Sequence, residues 1–85
     1  MKFYLIDAKY GFNIIDPNLN IVIKINDVIQ EYEIDENGLY TLINVTNHEY
    51  DFASLINIEI TGTNYDPTIL NITPNRVNNS QIPMF

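Results

Sequence analysis

In the stretch LNIVIKIN, residues 19 to 26, Leu19, Ile21, Ile23 and Ile25 fall on one side of an extended chain and Asn20, Val22, Lys24 and Asn26 on the other. The stretch INIEIT repeats the pattern, with Ile56, Ile58 and Ile60 opposite Asn57, Glu59 and Thr61. Side chains alternate across a strand with period two, whereas a helix repeats every 3.6 residues, so both segments are half-buried strands with an isoleucine face turned inward. Such faces have to be covered. No long helical repeat is present, so the cover is expected from further strands.

The remaining runs agree. Phe3 and Leu5 alternate with Tyr4 and Ile6, Asp16-Pro17-Asn18 breaks YGFNII from the next strand, and TILNIT pairs Leu70 in phase with Ile72. Residues 28 to 45 are expected to form a β-hairpin. Val28, Tyr32 and Ile34 share one face of its first strand and Glu31 and Glu33 the other; Asp35-Glu36-Asn37-Gly38 makes the turn, and LYTLINV returns. Gly accepts the positive φ a hairpin turn demands, Asn tolerates it, and an Asp at the turn's start can accept a backbone N–H. A turn is also signalled from Gly62 to Pro67, and one helical turn is expected around Asp51 to Leu55. The total is six or seven short strands, the pattern of a small antiparallel β-sandwich or partly open barrel.

From Pro74 the periodicity stops. PNRVNNSQIPMF contains two prolines and a run of amides, which suggests a globular domain over residues 1–73 followed by an extended arm over residues 74–85. Its apolar tip, Ile82, Met84 and Phe85, is the expected anchor on a neighbouring subunit.

Composition narrows the function classes. Eighty-five residues support one small core, and 46% hydrophobic content is enough to build it without metal or disulfide; there is no cysteine. The net charge is −7, with only Lys2, Lys9, Lys24 and Arg76 as cations. Four cations cannot form the basic stripe that binds a phosphate backbone, so direct nucleic-acid binding and adhesion to an anionic membrane are disfavoured. MKFYLIDAKY is a poor leader because Asp7 interrupts its apolar run, and no run approaches a membrane span. The expected location is a virion or the host cytoplasm. Fifteen Ile and thirteen Asn together point to A/T-rich coding.

IVIKINDVIQEYEIDENGLYTLINV followed by SLINIEITGTNYDP resembles the middle of bacterial and phage immunoglobulin-like modules. In those modules a strand, a short polar link, a hairpin with Asp-x-Asn-Gly-x-Tyr at its turn and an Ile/Thr-rich strand recur. The motif here is Asp35, Asn37, Gly38 and Tyr40, within a match over roughly residues 19 to 66. The cysteine pair and buried tryptophan of antibody domains are missing. The resemblance implies an immunoglobulin-like sandwich without catalytic residues, used for adhesion, spacing or decoration of a larger assembly.

Chemistry-bearing groups are sparse. His48 lies beside Glu49 and Asp51 in a polar crossing, a weak metal set for one histidine; Ser54 and Ser80 sit in no nucleophile elbow; and DENG and TNYDP lack calcium-loop spacing. No enzyme, metal or cofactor is expected. Glu31 and Glu33, roughly 6.6 Å apart on one strand face, could imitate a row of phosphates. The leading expectation is thus a structural or accessory decoration protein of a phage virion or capsid, docking on other subunits, copies of itself included. The alternative is a small acidic inhibitor that mimics nucleic acid and occupies a basic host protein.

Overall fold

A computed structural model describes residues 1–43 and 53–85. The sequence folds as two four-stranded sheets around one core. In chain order the strands are β1 (Lys2–Asp7), β2 (Val22–Ile25), β3 (Val28–Gln30), β4 (Tyr32–Ile34), β5 (Leu39–Leu42), β6 (Ile56–Gly62), β7 (Tyr65–Ile72) and β8 (Gln81–Met84). A 3-10 turn, Pro17–Leu19, precedes β2, and a short helix α1, Pro74–Val77, precedes β8. The first sheet has the order β4-β5-β1-β8 and the second β3-β2-β6-β7. The all-β sandwich is therefore the architecture, with eight strands among the described residues.

Alternation places the core. Ile21, Ile23 and Ile25 of the β2 run and Ile56, Ile58 and Ile60 of β6 are buried and face Phe3, Leu5, Tyr40 and Leu42 of the other sheet. The register pairs Ile23 with Ile60 and Ile25 with Ile58, so the isoleucine rows stack on one face. In β5 the buried set is Tyr40 and Leu42, while Leu39 and Thr41 are half-buried. Tyr40 can be fully buried because its hydroxyl donates a 2.7 Å hydrogen bond to the Ile14 carbonyl.

The expected hairpin exists but is shorter. Asp35 Oδ1 accepts the N–H groups of Asn37 and Leu39, each at 2.9 Å, and Gly38 has φ +86°. Its first strand is β4 alone. Residues 28 to 34 are not one strand: β3 pairs with β2 in one sheet, and the chain passes at Glu31 into the other, where β4 pairs with β5. Val28 accordingly ends up exposed at a sheet edge instead of sharing an inward face with Tyr32. The β2–β3 link is itself a two-residue hairpin turn, with Asn26 and Asp27 both at positive φ.

The arm is a correction. Residues 74–85 do not leave the domain. Pro74 and Val77 of α1 are buried, and β8 lies parallel to β1, Leu5 beside Ile82 and Asp7 beside Met84, so the sheet is mixed rather than antiparallel throughout. Ser80 and Met84 both aim their carbonyls at β1, accepting Tyr4 N–H and Ala8 N–H at 2.9 Å, which turns the nitrogen of Pro83 outward. A proline is admissible there because β8 is an edge strand. The domain thus extends through residue 84. Of the helical turn expected around Asp51 to Leu55, the first two residues lie outside the described residues, and Ala53 to Leu55 are not helical.

Candidate functional site

Asp7, the last residue of β1, is 8% exposed, the one charged side chain buried among the described residues. Its Oδ1 accepts Lys9 N–H at 2.9 Å and Tyr10 N–H at 2.7 Å, which bends the chain out of the strand, and Gly11 completes the bend at φ +79°. Phe12 then returns antiparallel, its carbonyl accepting Asp7 N–H at 2.9 Å. The other carboxylate oxygen, Oδ2, accepts the hydroxyl of Tyr65 at 2.7 Å. The Tyr65 bond, then the Tyr10 and Lys9 amides and the Lys9 charge, hold the Asp7 carboxyl below the usual carboxylate range against the opposing effect of burial. Burial, reinforced by the Asp7 bond and charge, pushes the Tyr65 phenol up to about 12.

This folded-back turn forms one wall of a groove of about 460 Å³. The β6–β7 turn, Thr63, Asn64 and Tyr65, lines it as well, together with Phe85, Asp16 and Leu19. Asn64 sits at φ +69°, as the tight turn requires. Phe85 is held at the rim because its carbonyl accepts Asp66 N–H at 2.6 Å. Asp16 Oδ1 accepts Asn18 N–H at 2.9 Å and caps the 3-10 turn.

Aromatic rings dominate the rim. Tyr10 is 71% exposed, Phe12 49% and Phe85 72%. The Tyr10 and Phe12 rings lie 6.3 Å apart, tilted by only 12°, and the Lys9 ammonium sits 5.1 Å from the Tyr10 centroid. Large apolar groups gathered at a concavity, rather than scattered singly, are the usual mark of a contact surface.

Of the three expected anchors, Ile82 and Met84 are buried core residues, 3% and 1% exposed, and only Phe85 is on the surface. Pockets on a partner cannot receive side chains that already fill this domain's own interior. Glu31 and Glu33 are both exposed, alternating with half-buried Tyr32 and Ile34. Glu33 lies on edge strand β4 and Glu31 immediately before it, so the two share a side, away from the lining of the groove. His48, Glu49 and Asp51 lie outside the described residues. Among the described residues no three His, Cys, Asp or Glu side chains gather as a metal site, and no helix is long and apolar enough to cross a membrane.

The groove takes in only Phe85 of the site residues that the sequence pattern suggests. Its local signal is Asp7-Ala8-Lys9-Tyr10-Gly11-Phe12: an Asp two and three residues before the amides it captures, then a glycine between two aromatics. Comparison with protein-family models, with curated proteins and with solved structures gives no match.

Proposed function

We propose that this chain is a non-enzymatic structural or accessory module that docks on neighbouring protein subunits of a larger assembly, of the phage-virion type. The observation that carries the reading is the aromatic rim of Tyr10, Phe12 and Phe85 around the groove. A small domain that buries eight isoleucines in its core yet leaves three rings lining one groove at the surface has a use for them, and aromatic anchors commonly dominate protein contacts. The resemblance over residues 19 to 66 supports the same class. The anchor is therefore Phe85 with Tyr10 and Phe12 in place of Ile82 and Met84.

Mass spectrometry of purified particles provides the test. The unaltered chain should be present in fixed proportion, and a Tyr10→Ser, Phe85→Ser variant should be lost from particles while its circular dichroism and melting stay unchanged. A chain never found in particles, or a variant incorporated as well as the parent, overturns the reading. Exposed Glu31 and Glu33 support the second reading, a nucleic-acid mimic that binds a basic host protein. That reading requires a salt-sensitive complex with a basic nuclease that is lost in the Glu31→Gln, Glu33→Gln variant.

A further inference from the structure

We propose that the groove is the seat for an arginine side chain from a basic segment of the partner, its guanidinium laid on the Tyr10 and Phe12 rings and its N–H groups turned toward Asp16. The inference rests on the docking reading and names the partner's chemistry.

Three observations converge on a cation. Exposed ring faces carry negative charge density, and the Tyr10 face already holds one cation, the Lys9 ammonium at 5.1 Å. The charged side chains lining the groove are Asp7 and Asp16 against Lys9, a balance of one negative charge within a chain of net charge −7. Asp7 makes its hydrogen bonds internally, to two amides and to Tyr65, and so acts on an occupant through its field. Asp16 is exposed, with Oδ1 fixed by Asn18 N–H, and can meet the occupant directly.

Geometry selects arginine over lysine. Tyr10 and Phe12 lie within 12° of parallel and offer planar apolar surface in the groove that Asp16 also lines. A guanidinium can stack on a ring and hydrogen-bond a carboxylate in its own plane at the same time, which a compact, strongly hydrated ammonium does poorly. Lys9 is then an internal competitor that shields the ring until arginine displaces it.

The test is a titration of the isotope-labelled full chain with N-acetyl-arginine amide, followed by amide chemical shifts. The arms are N-acetyl-lysine amide, the neutral isostere N-acetyl-citrulline amide, and a neutral disaccharide. Saturable shifts are expected at Lys9 to Phe12 and at Thr63 to Tyr65 with arginine, with citrulline at least tenfold weaker. Tyr10→Ala and Asp16→Asn should each weaken binding; Asn caps the 3-10 turn as well as Asp does, so the second variant keeps the fold. Lys9→Ala should strengthen binding about two- to fivefold, the worth of one exposed cation–π contact. Citrulline or the disaccharide matching arginine overturns the inference, as do equal shifts at Glu31 and Glu33 or weaker binding by Lys9→Ala. The particle assay separates the two readings. If Asp16→Asn is incorporated normally while the Tyr10→Ser, Phe85→Ser variant is not, docking stands and the arginine seat falls. If both are lost from particles, both readings are supported.

Discussion

The phenol of Tyr65 donates a 2.7 Å hydrogen bond to Oδ2 of Asp7, tying the first residue of β7 in one sheet to the last residue of β1 in the other. The contact stands at the end of the sandwich where the chain turns to build the groove. It therefore couples acid and alkaline stability to the geometry of the proposed docking surface.

On the acid side the sign follows from the lowered native pKa of Asp7. A carboxylate depressed on folding contributes stability that is present above its unfolded value, about 3.9, and is lost as pH falls through the native value. Urea midpoints of the parent should thus drop as pH is taken from about 5 downward, and Asp7→Asn should show a shallower drop over the same window. Equal slopes for the two proteins would mean that Asp7 is not held ionised by the fold.

On the alkaline side the phenol is the group to follow. Tyr65 is raised from 10.0 to about 12, and burial also raises Tyr40 and Tyr32. A group whose pKa rises on folding stabilises below its unfolded value and loses that contribution as pH climbs through the folded one. Stability should fall between about pH 10 and 12, with phenolate absorbance at 295 nm appearing late. Tyr65→Phe should start lower at pH 7 and lose less over that interval.

Two glycines separate backbone conformation from space. Gly38 and Gly11 both have positive φ, +86° and +79°. A Cβ on Gly38 would lie 3.0 Å from Asn13 Cβ and from Ile15 Cγ2, whereas a Cβ on Gly11 would meet nothing within 4 Å. Gly11→Ala should cost about 1 kcal/mol, the conformational penalty alone, and Gly38→Ala more, about 2–3 kcal/mol, because the clash adds to it. Denaturant midpoints that rank the two the other way would place the turn incorrectly.

Strands β1, β2 and β6 were legible because isoleucine, leucine and phenylalanine alternate with polar or half-buried neighbours, and burial on one face is all that signal encodes. The β2–β3 turn was harder to see because Asn26 and Asp27 take positive φ without a glycine between them. The run from Val28 to Ile34 looked like one strand because alternation continues through Glu31, where the chain changes sheets; a period-two pattern carries no information about which neighbour a strand pairs with. Of the groove, only the Asp7 to Phe12 turn has a local signal. The groove's walls come from positions 7 to 19, 63 to 65 and 85, which only the meeting of β7 with the end of β8 brings together.

The C-terminal strand yields the sharpest test of the corrected fold. Proline and amides concealed it, since Pro83 interrupts what would otherwise be a plain alternation of Gln81, Ile82, Pro83 and Met84. Edge position removes the conflict: β8 has one neighbour, β1, and the proline nitrogen faces away from it. Met84 is 1% exposed, touches Thr68 Oγ1 through its sulfur at 3.4 Å and sits beside Asp7 in the register. Truncating it removes core volume, so Met84→Ala should cost about 2–5 kcal/mol, and Ile82→Ala a similar amount. Phe85→Ala, with its ring 72% exposed, should change stability by less than about 0.5 kcal/mol. Deleting residues 81–85 strips β1 of its parallel partner and opens the buried face of Leu5, and the shortened chain should lose its cooperative thermal transition. A deletion variant that melts cooperatively near the parent temperature would return residues 74–85 to the status of a detachable arm.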